Sequence, residues 1–245
     1  MRITKLTLTG ADDKTDIKEM IGISEKYPFV EWGILMARNF SEYTGRRFPS
    51  REWINELVLQ NSKTPLNLSL HICGKIVEDI VEEGGKEFLK YYGKYLKTFQ
   101  RLQINTHAEK FNLNFDAFKK FVKKVKNEYN TEIIIQFDGT INQNLLFQLE
   151  PGELSTLIDK SHGAGVVPDI WGKPIKGYST GYAGGLGPDN LAEELEKIES
   201  YVCAGESWID METKVRSSTT EKGDYFDLDK CREVLEIVKK SKMVW

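Results

Sequence analysis

Cysteine, histidine and proline are scarce in this chain, and no apolar run is long. Its 245 residues include three cysteines, three histidines and seven prolines. Cys73, Cys203 and Cys231 are odd in number and lack metal-ligand spacing, which excludes a disulfide scaffold and fits a reducing compartment. No apolar stretch approaches the roughly 20 residues that span a bilayer. The first ten residues, MRITKLTLTG, alternate like a strand and show no signal-peptide core, so a cytoplasmic protein is the expectation. A net charge of −3 leaves no basic face for nucleic acid. Lys119, Lys120, Lys123, Lys124 and Lys126 do cluster, but they interleave with Phe115, Phe118, Phe121, Val122 and Val125 at helical spacing. That pattern is a solvated helix face. Low-complexity segments, Ser/Pro linkers and helical-array repeats are absent too.

What is present is an alternation of short apolar strands and amphipathic helices. Strands are expected at 3–9, 29–36, 66–72, 101–105, 132–137, 154–159, 177–183 and 207–211. Helices are expected at 15–26 with Thr15 as a cap, 51–60 capped by Ser50, 75–97 interrupted at Gly84-Gly85, 116–129, 142–149, 191–201 and 229–240. The sixth unit has no clear helix. Strands of this kind between helices pair in parallel. Eight βα units of roughly thirty residues match a (β/α)8 TIM barrel occupying 1–245 as a single domain. A doubly wound open sheet is the main rival.

In such a barrel the chemistry gathers at the C-terminal ends of the strands. The residues at those ends are Thr9, Asp12 and Asp13; Arg38, Arg46 and Arg47; His71 and Cys73; Gln103, Asn105 and His107; Gln136 and Asp138; Asp159 and His162; and Asp210 and Glu212. Asp159 ends a buried strand, where desolvation favours a protonated, acid-competent carboxyl. Capping a loop backbone is its structural alternative. Cys73 is a candidate thiolate base or a small packed residue. Arg46 and Arg47 suit a carboxylate clamp or an exposed loop. The histidines show no local metal-ligand motif, so neither metal nor cofactor is expected.

The densest signal is Gly181-Tyr-Ala-Gly-Gly-Leu-Gly-Pro-Asp-Asn190, followed directly by an amphipathic helix. Glycines permit close backbone approach, and a helix start offers N–H groups to an anion.

The segment 183–190 resembles the seventh-strand signature of phosphoribosylanthranilate isomerase, Gly-Gly-Leu-x-Pro-Glu-Asn. Three further stretches are similar to that family in order: Leu157-Ile-Asp159 with Gly163, Gly165 and Asp169-Ile-Trp171; Ile209-Asp-Met-Glu212 through Arg216; and Gly33-Ile-Leu with Gly45-Arg-Arg-Phe-Pro-Ser50. The specific motifs cover about a quarter of the chain. The resemblance implies an Amadori-type aldose–ketose isomerisation with Asp159 as general acid. It implies Arg47 on the substrate carboxylate, and Gly163, Gly165, Gly184 and Gly185 on a phosphate. Gln103, Asp138, Asp210 and Glu212 are the further substrate-binding candidates at the mouth. The family's first-strand cysteine base is replaced here by Thr9, and the only cysteine near a strand end is Cys73. Glu212-Thr213-Lys214 stands where the family has Ser-Ser-Gly. Three readings follow: this isomerase chemistry on a small, phosphorylated substrate; another barrel lyase, epimerase or hydrolase using Asp138, Asp159, Glu212 and His71; or a barrel that binds a phosphorylated ligand without turnover.

Overall fold

The computed structural model describes residues 1–36, 47–106, 112–137, 149–150, 152–159, 165–203 and 205–244. Asp138, His107, His162, Gly163, Arg38 and Arg46 lie outside the described residues, as does most of the expected helix at 142–149.

Eight parallel strands close into a barrel in chain order. They are β1 (Arg2–Thr9), β2 (Val30–Met36), β3 (Leu68–Ile72), β4 (Arg101–Ile104), β5 (Glu132–Phe137), β6 (Ser155–Asp159), β7 (Thr180–Ala183) and β8 (Glu206–Met211). Closure comes from β8 pairing with β1, which sets Ile209 against Leu6 and Asp210 against Thr7. Around the outside run α1 (Ile17–Lys26), α2 (Arg51–Asn61), α3 (Lys75–Glu83), α4 (Lys86–Leu96), α5 (Phe115–Tyr129), α6 (Leu191–Val202) and α7 (Leu228–Lys240). Their apolar stripes bury against the strands, with Met20, Leu57, Val77, Phe121, Leu195 and Leu235 almost fully enclosed.

Local chemistry explains most boundaries. Asp16, not Thr15, caps α1 by accepting from the Lys18 N–H. The Thr15 hydroxyl instead accepts from the Asp12 N–H. Ser50 caps α2 as expected, accepting from Trp53 N. The break at Gly84-Gly85 splits one expected helix into α3 and α4, because both glycines are left-handed. A side chain at Gly85 would strike the Phe121 ring at 2.4 Å. β7 is shorter than expected because the Tyr178 N–H turns back to the Ile175 carbonyl. Residues 165–179 contain no helix, consistent with the sixth unit's sequence. A two-stranded hairpin that the sequence pattern did not indicate, β9 (Arg216–Thr219) with β10 (Gly223–Phe226), sits between β8 and α7.

The barrel interior is polar on one side and apolar on the other. Ile134, Leu157, Ala183 and Trp208 form the apolar half. Trp208 fits only because β7 has Gly181, where a Cβ would lie 2.1 Å from the indole. The opposite half holds an ion network. Glu31 is fully buried and accepts from Lys5 Nζ at 3.0 Å, Thr7 Oγ1 at 2.8 Å and Arg101 at 2.8 Å. Burial opposes its charge, but Arg101 and Lys5 outweigh that and hold its carboxyl below the usual range. The Arg101 guanidinium lies 4.2 Å from the Trp208 ring centroid, joining the two halves. We predict that Gly181→Ala destabilises the barrel by about 1–3 kcal/mol through overpacking against Trp208. Urea unfolding measures this, and combining it with Trp208→Leu should recover most of the loss.

Candidate active site

A cavity of about 240 Å³ opens at the C-terminal end of the barrel. Its polar lining comes from Arg47 after β2, His71 on β3 with Cys73 just beyond it, Gln103 on β4 with Asn105 just beyond it, Gln136 on β5, Asp159 on β6 with Gly165 after it, Gly184 and Gly185 after β7, and Asp210 on β8 with Glu212 just beyond it. Leu35, Phe48, Leu157, Leu186 and Met211 supply apolar walls. Alternation along each strand decides the cast, because residues two apart point into the barrel together.

Asp210 sits at the floor. Its Oδ1 accepts from Thr9 Oγ1 at 2.8 Å, and Gln103 also hydrogen-bonds the carboxylate. Burial pushes its pKa up to about 7; the Thr9 bond opposes this, while Glu31 and Asp159 add to it. A carboxyl in that range exchanges a proton readily at neutral pH. Thr9 itself is buried and does not line the cavity; its hydroxyl serves Asp210.

His71 lies 4.0 Å from Asp210, Nδ1 to Oδ2, and its Nε2 is 3.1 Å from Ser69 Oγ. Burial lowers its pKa to about 4, so the imidazole is neutral. Gly33 makes this packing possible. A Cβ there would meet Thr9 Oγ1 at 2.1 Å and His71 Cε1 at 3.1 Å. The role of Gly33 was not read from the sequence, although a glycine inside an apolar strand is a known mark of close approach.

Asp159 accepts from Gln136 Nε2 at 2.6 Å, so the expected acid is held by its neighbour on β5. Cys73 also reaches the cavity. Burial, with Glu212 adding, pushes its thiol up to about 12, so it stays protonated and is a poor base near neutral pH.

Arg47 has a left-handed backbone and is already engaged. It donates to Glu212 at 2.9 Å and to Thr213 Oγ1 at 3.1 Å, and lies 3.5 Å from Asp224. A substrate carboxylate would have to compete with Glu212. Burial raises the Glu212 pKa, and Arg47 opposes that. The network continues through Asp224 to Arg216, which bonds Asp12 at 2.8 Å and the Gly10 carbonyl. This strut of Asp12, Arg216 and Asp224 was missed because the hairpin carrying Asp224 gives no periodic signal.

Gly165, Gly184 and Gly185 line one wall, all with positive φ. Here the close approach is partly protein against protein. A Cβ on Gly185 would meet Val167 N at 2.6 Å and Gly165 O at 2.8 Å. The turn also uses N–H groups that the sequence suggested were free. Gly187 N donates to Asn190 Oδ1, and Asn190 N and Leu191 N donate to the Gly187 carbonyl. Lys214 lines the same wall, and the base of its side chain packs on Gly187, where an added Cβ would lie 2.4 Å from the Lys214 Cβ.

No protein-family model matches this chain, and none of the curated proteins compared with it matches. Solved structures do. The chain is similar to a GH113 β-1,4-mannanase at 14% identity and TM-score 0.59, covering 99% of this chain and all of the other. It is similar to a phospho-2-dehydro-3-deoxyheptonate aldolase of Thermotoga maritima at 10% identity and TM-score 0.58, covering 98% and 69%. A family 39 glycoside hydrolase from Bacteroides cellulosilyticus gives 10% identity and TM-score 0.58, covering 93% and 60%. These likenesses establish the TIM-barrel fold. None of the three is a phosphoribosylanthranilate isomerase.

The raised Asp210 pKa has a stability consequence. Between roughly pH 4 and 7 the folded chain keeps a proton that the unfolded chain has lost. Stability from this residue therefore falls as pH rises through that window and levels off above it. Asp210→Asn should be more stable than the parent above pH 7, by at most about 4 kcal/mol, with the gain vanishing toward pH 4. Denaturant unfolding across pH measures it.

Proposed function

We propose that this barrel is a proton-transfer enzyme, an aldose–ketose-type isomerase of a small polar sugar derivative. The observation that carries the reading is the Thr9–Asp210 hydrogen bond, together with the near-neutral Asp210 carboxyl. In the phosphoribosylanthranilate isomerase resemblance, a cysteine at the end of the first strand is the base. Here that place is Thr9, and its hydroxyl donates to Asp210 on the adjacent eighth strand. Asp210 thus takes the base role. It removes a proton from the hydroxyl-bearing carbon beside the C1 iminium, the carbon that becomes the ketone, and gives a proton to C1. Asp159, oriented by Gln136, gives its proton to the ring oxygen and regains one from the hydroxyl that becomes the carbonyl. The amides of Gln103 and Asn105 supply hydrogen bonds suited to hydroxyl groups.

A second feature favours a phosphorylated ligand. Lys214 and the glycines Gly165, Gly184 and Gly185 share one wall, and a lysine ammonium offsets the nearby Glu212. A barrel that holds such a ligand without turnover is the competing reading.

The test is a conversion assay with N-substituted aldosylamines, with and without a 5-phosphate, run in deuterated water. Turnover with solvent deuterium in the product supports the proposal. Asp210→Asn should lower kcat about 10²–10⁴-fold with little change in KM. Rescue of a tryptophan auxotroph lacking phosphoribosylanthranilate isomerase would fix the substrate. Tight binding of a phosphorylated compound without turnover would replace this proposal with the binding reading.

A further inference from the structure

The isomerase reading leaves a buried imidazole unused. His71 lies inside the barrel and is almost wholly enclosed. It occupies the space left by the missing side chain of Gly33, with Ser69 on one side and Asp210 on the other. A residue that only filled volume would be apolar here, since burying an imidazole requires partners for both ring nitrogens.

Ser69 suits either tautomer, since its hydroxyl can accept from or donate to Nε2, and the one that suits a protonated Asp210 carries its proton on Nε2. With the proton on Nε2, that nitrogen donates to Ser69 Oγ at 3.1 Å. Nδ1 is then bare, and it faces Asp210 Oδ2 at 4.0 Å. The other carboxyl oxygen, Oδ1, is already the acceptor of the Thr9 hydroxyl. When Asp210 gains a proton, Oδ2 is the oxygen that faces Nδ1 as an acceptor, while Gln103 also bonds the carboxyl. A hydrogen bond between them requires the 4.0 Å separation to shorten by about 1 Å.

We propose that His71 is a positioning residue for Asp210, receiving on Nδ1 a hydrogen bond from the proton that Asp210 takes from its substrate. The proposal rests on Asp210 being the base. During isomerisation a C–H bond breaks and an O–H bond forms on Oδ2. The protonated Oδ2 is held against His71 until it gives a proton, the same one or one exchanged with solvent, to the adjacent carbon. No oxidant or cofactor enters the balance. The imidazole stays neutral, because the charged groups around it act on a site that burial already disfavours for a cation. Those groups are Glu31 from β2, Arg101 from β4 and Glu212 just after β8. Asp210 faces Glu31 from β2 and Asp159 from β6 as well. β1 contributes Thr9, β5 Gln136 and β7 Ala183, none of them charged.

The experiment needs no substrate. Aspartate carboxyls are labelled with carbon-13, Asp210 is assigned by the signal lost in Asp210→Asn, and its titration is followed by NMR. His71→Leu keeps the volume and the apolar shielding but removes the acceptor. It should lower the Asp210 midpoint by about one pH unit, a tenfold weaker hold on the proton. His71→Asn, which restores a polar atom near the Nδ1 position, should recover part of the shift. A histidine that merely excludes water would leave the leucine variant's midpoint unmoved or raised, and that result overturns the proposal. If the leucine variant does not fold, nitrogen-15 shifts of His71 in the parent decide the matter: a bare Nδ1 supports it, and a protonated Nδ1 overturns it. If Asp210 in the parent does not titrate near neutrality, the isomerase reading falls too. If it does and His71→Leu leaves it in place, only the role of His71 falls.

Discussion

Closure of the first strand onto the eighth is the constraint on which the site depends. It puts Thr9 and Asp210, 201 residues apart, within one hydrogen bond. It also seals Asp210 from water, and desolvation is the largest cause of its raised pKa. A barrel that stayed open at this seam would expose the carboxyl and return it to an ordinary acid. The fold is therefore not a neutral platform for the site; it supplies the raised proton affinity of Asp210.

Beneath Asp210 the barrel interior departs from an apolar filling. Glu31, Arg101, Lys5 and Thr7 form a hydrogen-bonded ionic cluster in the half toward the N-terminal ends of the strands. Such a cluster rarely adds net stability compared with apolar packing, because both ions must be stripped of water. Its consequence here is electrostatic. Glu31 biases both Asp210 and His71 toward protonation, and Arg101 opposes it at His71. Gly33 and Gly181 make room on the two sides of the same interior, one for Thr9 and His71, the other for Trp208. The small residues on the strands decide where the large and polar ones can sit.

Much of the fold was legible in the chain. Alternating βα units gave eight strands, and the observed strands fall within one or two residues of most expected bounds. The strand-end rule also brought Asp159, Asp210, Glu212, Gln103 and Cys73 to one cavity, because side-chain alternation is a local property of extended backbone. Pairings were less legible. Arg47 looked like a free carboxylate clamp, yet it is occupied by Glu212 and Thr213. Cys73 could be read as a base or as a small packed residue, and burial among its neighbours keeps the thiol protonated. The glycine turn looked open to an anion, yet Asn190 and Gly187 consume part of its hydrogen-bonding capacity. Each of these depends on residues brought close by the fold rather than by sequence.

The sequence by itself determined the period and order of the elements, and hence a parallel α/β architecture with polar residues at the C-terminal ends of its strands. Those features follow from local periodicity and from the need to bury one face of each helix. Closure of β8 onto β1 is seen in the tertiary structure. Only the tertiary structure decided which polar residues are charged, paired or neutral. A proton's affinity for Asp210, Cys73 or His71 is set by burial and by neighbours on other strands. Those neighbours meet only when the first strand has found the last.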